Sequence, residues 1–206
     1  MDRRKLNKLP KVILTMCMAC GFVSAANIAN SQAPQLLEIT IDDVHASLAS
    51  GQITCRSLVE FYLQRIEAFD QQGPRLNAIQ HINDAALGKA DELDVSYGAS
   101  GLVGPLHCIP ILLKDQVEVG EMPTTYGSAV FADFVSGRDA TIVSRMRQAG
   151  AIILAKTTMG EFASRYVGSA FGIARNAYDP MRNPSGSSAG TGIGVAANFG
   201  LIGIGE

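Results

Sequence analysis

Two short stretches hold residue types that could do chemistry. Lys114 closes the apolar run CIPILL, and Gly186-Ser187-Ser188-Ala189-Gly190 puts adjacent serines among small residues. A lysine at that point is either a solvated strand end or an ammonium held with little water around it. A dry pocket disfavours the charged form, and the free amine can then act as a general base.

The serine pair has four readings. A flexible linker fits poorly, because the following SAGTGIGVAANFG is apolar and alanine-rich. A G-x-S-x-G elbow with Ser188 as nucleophile needs a strand before it and a histidine after it. Here NAYDPMRNPS is full of turn formers, and His45, His81 and His107 all lie upstream. A phosphate-cradling loop lacks both the Lys-Ser/Thr ending and the full G-x-G-x-x-G spacing. The fourth reading is a relay, in which one serine passes a proton between a lysine base and a nucleophile and the glycines permit unusual backbone.

The elements that must position these residues follow from periodicity and punctuation. Thr40 with Asp43 caps a short helix ended by Gly51, and Thr54 caps a longer one in which Leu58, Phe61, Tyr62, Ile66 and Phe69 recur at helical spacing. LNAIQHI predicts a short strand, NDAALGKADELD a helix, and SYGASGLVGP a loop. CIPILL and AIILA predict buried strands joined across the amphipathic ATIVSRMRQAG helix, a parallel arrangement whose ligands gather beyond the carboxyl ends of the strands. Lys114 stands at one such end and Lys156-Thr157-Thr158 at the other. SAGTGIGVAANFG then predicts a tightly packed helix, and LIGIG a third strand.

Residues 1–25 are set apart from the fold. Arg3, Arg4, Lys5, Lys8 and Lys11 precede the apolar VILTMCMACGFVSA, and Val23-Ser24-Ala25 fits a cleavage site, which predicts a signal peptide. The run is short for a membrane anchor, so no stable membrane span is expected after cleavage. A lipoprotein reading through Cys20 is weaker, since Cys17-Met18-Ala19 matches a lipidation box poorly. Export to the periplasm or the exterior is the expectation. Without residues 1–25, Lys+Arg falls from 17 to 12 and Asp+Glu from 19 to 18, leaving −6. That mild acidity, with no basic stripe, excludes a nucleic-acid partner. Cys55 and Cys108 lack metal-ligand spacing, so no metal site is expected. Two buried thiols are favoured there, a single disulfide being the alternative in an oxidising compartment.

GPLHCIPILLKDQVEV, TTYGSAVF, RDATIVSRMRQAGAIILAKTTMGEFA and RNPSGSSAGTGIGVAANFGLIGIGE together resemble, in order and spacing, the amidase signature family, over residues 38 to 206. The resemblance implies an α/β/α fold around a central mixed sheet, incomplete here and preceded by N-terminal helices. Residues 26–37 would be a linker. It implies hydrolysis of amide bonds by a serine, cis-serine, lysine triad without cofactor or metal, acting on small-molecule or peptide amides. Lys114 matches the family's lysine and Ser187 its cis-serine, with a cis peptide between Gly186 and Ser187. Ser185 and Ala189 depart from the family's usual glycines, and both are small. Ser188 is a candidate for holding the relay, and Ser128, Thr157 and Thr158 for lining the substrate cleft. Asp115 is expected to bind loop backbone, and Arg182 and Asp179 to fix a loop.

The family's nucleophile lies further along, in a D-T-G-G-S-I-R-like loop, whereas this sequence stops at Gly205-Glu206. The expectation is therefore a fragment or a truncated gene, inactive alone. The rivals are a non-catalytic remnant or binding module on the same scaffold, and one component of an amidotransferase that works with partner proteins.

Overall fold

The computed structural model describes residues 35–206. The signal-peptide reading of residues 1–25, and most of the proposed linker, fall outside the described residues. Helix α1 (Ile41–Ala49) and helix α2 (Cys55–Phe69) each begin with a capping box. Thr40 pairs reciprocally with Asp43, and Thr54 with Ser57, so donors that the first turn leaves orphaned are satisfied. α2 buries Leu58, Tyr62 and Ile66 of the predicted stripe and Val59 besides; Phe61 is half-buried against the core, and Phe69 is exposed beneath the Arg65 guanidinium, 5.1 Å above its ring. Asp70 ends the helix, and its buried carboxylate accepts the backbone N–H groups of Ala78 and Ile79, at 2.6 and 3.2 Å. That contact aims the chain into β1 (Ile79–Ile82).

Helix α3 (Ala86–Ser100) extends through Ser96–Ser100, the first half of the segment that the sequence predicts as a loop, while residues 101–105 are loop as expected. Packing overrides propensity here. Tyr97 packs against the core and stands 5.5 Å from the His107 ring, while the hydroxyls of Ser96 and Ser100 bond back to carbonyls one turn earlier. The helix stops at Gly101, whose φ of 81° suits a residue without Cβ.

Strands β2 (Pro110–Lys114) and β3 (Ile152–Thr157) pair in parallel across α4 (Thr141–Gln148), and every residue of both is buried. Two two-residue strands, β4 (Val167–Gly168) and β5 (Gly172–Ile173), form a separate hairpin. Helix α5 (Ala189–Ala196) leads to β6 (Ile202–Ile204), which pairs in parallel with β2. The sheet order is β1-β3-β2-β6 with β1 antiparallel to β3, so the sheet is mixed. α5 lies close on it because glycines face it: a Cβ at Gly194 would sit 2.7 Å from Leu112 Cδ1. Among the described residues, no helix is long and apolar enough to cross a membrane.

Cys55 and Cys108 correct the thiol expectation. They form a disulfide with Cα atoms 5.0 Å apart, tying the first residue of α2 to the approach to β2. The sequence hid this because the pair is 53 residues apart and converges only when α2 docks. His107 stands beside them, its Nε2 3.8 Å from Cys55 Sγ. Its Nδ1 accepts the Val103 N–H, which leaves the ring proton on Nε2, and burial pushes its pKa down. Nε2 is thus a donor toward sulfur, and the trio does not suit a metal. Closing a loop of this length stabilises the fold by about 2–4 kcal/mol. A Cys55→Ala/Cys108→Ala variant should lose that amount in urea unfolding, and peptide mapping of the unreduced protein should find the two cysteines joined. Alkylation of both without reductant would contradict the bond.

Candidate active site

Lys114 is the last residue of β2, and its ammonium is only 1% exposed. It is cross-strand from Thr157, whose hydroxyl meets that of Thr191 on α5 at 2.7 Å, so this face of the two strand ends looks toward α5. Ser187 and Ser188 immediately precede α5, and the Gly186–Ser187 peptide is cis. The outcome is direct contact. Lys114 Nζ donates to Ser187 Oγ at 2.7 Å, across 73 residues of sequence.

Three contacts pin the serine turn. The Ser187 carbonyl accepts the Gly160 N–H at 3.0 Å, and Gly190 N–H donates to the Thr158 carbonyl at 3.0 Å. Gly186 passes so near Arg165 that a Cβ would sit 1.7 Å from its carbonyl oxygen, so only glycine fits there. Gly190 is equally constrained: its Cβ would lie 2.4 Å from both Ala78 O and Thr158 Oγ1. Ser188 does not touch Lys114. Its hydroxyl is tied to the backbone of Glu206, donating to the carbonyl and accepting from the N–H, both at 3.0 Å.

Glu206 completes the polar cluster. Its carboxylate meets Lys114 Nζ at 2.7 Å and Gln116 Nε2 at 2.9 Å, and the lysine's hydrogen bond, then the glutamine's, holds its pKa below the ordinary value. Neither Glu206 nor Gln116 stands out in the sequence, since both occupy ordinary polar positions. A cleft of about 400 Å³ opens beside the turn, lined by Arg165, Tyr166, Asn183, Ser185 and Gly186.

The weaker candidates divide. Thr157 and Thr158 are fully buried, with hydroxyls engaged by Leu113 O and Thr191 in one case and by Asn77 O and Ala78 O in the other. This geometry is that of strand-end supports rather than cleft lining. Ser128 is buried too. Its hydroxyl is close enough to Glu161 to lower that carboxyl's pKa, yet it meets no acceptor in proper hydrogen-bond geometry. Asp115 binds loop backbone as expected, taking the N–H groups of Thr125 and Gly127. Arg182 and Asp179 pair at 3.4 Å within their loop.

A second lysine, placed by the sequence only at a strand end, is buried as well. Lys156 is wholly inaccessible, its ammonium donating to Pro123 O at 2.9 Å and Thr124 Oγ1 at 3.1 Å, with Asp115 Oδ1 4.0 Å away. The available signal was a lone cation inside the otherwise apolar AIILAKTT. By strand alternation it points away from the face that carries Thr157.

A mixed sheet thus carries a buried lysine at one strand end, bonded to a serine just before a helix start. The chain matches the Amidase family over residues 57–206, and it belongs to that family. It is 37% identical over 173 residues to a glutamyl-tRNA(Gln) amidotransferase subunit of Acidothermus cellulolyticus, covering 82% of this chain and 34% of that relative. Among solved structures, native peptide amidase from Stenotrophomonas maltophilia superposes with a TM-score of 0.77 at 38% identity, over 79% of this chain and 35% of that one. An amidase family protein from Bacillus anthracis gives 0.79 at 32%, over 82% and 35%. The chain thus spans about a third of the length of these relatives.

Lys156 yields a pH prediction. Burial pushes its pKa from the ordinary 10.5 down to about 8, against the opposing pull of the Asp115 and Glu118 carboxylates. Between these values the unfolded chain holds one proton more than the folded one. Stability from this group therefore rises with pH across the window and is lost as pH falls through about 8, an effect on the order of 3 kcal/mol. Urea unfolding should show wild type gaining on Lys156→Met by roughly that amount from about pH 7 to about pH 10.5. A constant difference would contradict the buried charge.

Proposed function

We propose that Lys114 and Ser187 are the base and relay of an amide-bond hydrolase acting on peptide or small-molecule amides. The supporting observation is the 2.7 Å contact between Nζ and Oγ at the end of β2, with the serine held on the cis peptide by Gly160.

In this reading the amine form of Lys114 takes the Ser187 hydroxyl proton as Ser187 takes the proton of a nucleophilic serine, whose oxygen attacks the amide carbonyl. The proton then returns along the same path to the leaving nitrogen as the C–N bond breaks. Water hydrolyses the resulting ester, giving the acid and restoring the serine. The chain's own contribution is a buried lysine, a fixed hydroxyl and a cleft beside the serine turn. The chain spans about a third of the length of its relatives, so the assay uses the product of the complete open reading frame.

Export to the periplasm or exterior is part of the proposal. It draws on the N-terminal pattern and on the Cys55–Cys108 disulfide, a bond that persists in oxidising compartments. A second reading, one component of an amidotransferase, is favoured by identities of 37% and 39% to glutamyl-tRNA(Gln) amidotransferase subunits. The two separate by assay: a hydrolase turns over simple amides unaided, whereas an amidotransferase component requires its partners.

With the complete reading frame, Lys114→Ala and Ser187→Ala should each lower kcat/KM toward a simple amide by about 10³-fold or more, with near-normal melting. Full activity in either variant would refute the assignment.

A further inference from the structure

The buried Lys156 has no part in the mechanism above, yet it is held in a specific arrangement. Its ammonium takes Pro123 O and Thr124 Oγ1, while Asp115, the residue after Lys114, takes the N–H and hydroxyl of Thr125 and the N–H of Gly127. Gln80 on β1 also donates to the Thr125 hydroxyl, at 2.6 Å. Every residue of the turn from Pro123 to Gly127, apart from Tyr126, is therefore anchored to this pair.

The turn is anchored in order to hold something else. Tyr126 O accepts the Phe162 N–H at 2.9 Å. Gly127, at φ 72°, lies so close to Met159 O that a Cβ would come within 2.5 Å. These contacts seat residues 159–162, and Gly160 in that segment donates to the carbonyl of Ser187. A continuous set of bonds thus runs from Lys156 and Asp115 through the turn to the backbone of the serine that meets Lys114.

A direct catalytic role for Lys156 does not fit. Two of its three donors are spent on Pro123 and Thr124, and it lies on the other face of the strand from Thr157. A role in bulk stability fits no better, because burying the charge opposes folding near neutral pH, and buried ion pairs are weak stabilisers against apolar replacements.

We infer that Lys156 is a positioning residue: with Asp115 it fixes the Pro123–Ser128 turn and, through Gly160, the orientation of Ser187 relative to Lys114. The part of this inference that concerns catalysis rests on the amide-hydrolase reading, and the geometry of the turn does not.

The test is hydrogen exchange on wild type, Lys156→Met and the milder Thr124→Val, combined with kinetics on the complete reading frame. In Lys156→Met, protection at the amides of Thr125, Gly127 and Gly160 should fall by about tenfold or more while β2 and β3 amides keep theirs. Thr124→Val, which removes one of the lysine's acceptors, should show the same pattern at smaller amplitude and guards against a Lys156 variant that fails to fold. Toward a simple amide, kcat should fall by about 10²-fold with KM little changed, as expected when reacting groups are misplaced by about 1 Å. Unchanged protection at the three amides would overturn the inference, as would lost protection with kcat intact. If wild type hydrolyses no amide while the exchange pattern appears, the positioning stands and the hydrolase reading alone fails.

Discussion

A hydrogen bond between the ammonium of a buried lysine and a half-buried serine hydroxyl is the constraint around which the rest is arranged. Lys114 must leave the sheet at its carboxyl edge, and it does so because β2 is apolar along its length and buried on both faces. Ser187 must come to it from a helix start 73 residues later, and it arrives because α5 can lie nearly against the sheet. That closeness depends on residues lacking side chains. Gly194 meets Leu112, Gly190 meets Thr158, and Gly186 meets the Arg165 carbonyl. The small-residue composition of the segment is thus a packing requirement first, and its chemistry follows from that.

The same contacts explain how two kinds of support cooperate. From one side, buried threonines at the end of β3 bond α5 and the backbone near β1, fixing the distance between strand and helix. From the other, the Pro123–Ser128 turn supports the segment that holds the Ser187 carbonyl. The charged pair at the base of that turn is costly to bury and adds little stability against apolar replacements.

Much of this was legible in the sequence. Period and caps gave α1, α2, α4 and the two central strands, and the PILLKD and GSSAG motifs located the lysine and serine that the structure brings together. What was not legible depended on long-range packing. α3 continues through serine and glycine because Tyr97 packs on the core, and the cysteine pair closes only when the start of α2 meets the segment before β2. The mixed sense of the sheet was implied by family resemblance alone, since a four-residue strand carries no sign of its partner's direction. Lys156 was visible as an anomaly, but its meaning lay in a turn some thirty positions away, where neither Pro123 nor Thr124 advertises an acceptor for an ammonium.

The central claim is that Lys114 and Ser187 form one proton path in the folded protein. A high-resolution crystal structure of the complete reading frame tests it most directly. The account predicts Lys114 Nζ within about 3 Å of Ser187 Oγ, with the lysine shielded from solvent. Side chains well beyond hydrogen-bond reach, or a lysine turned out into water, would contradict it.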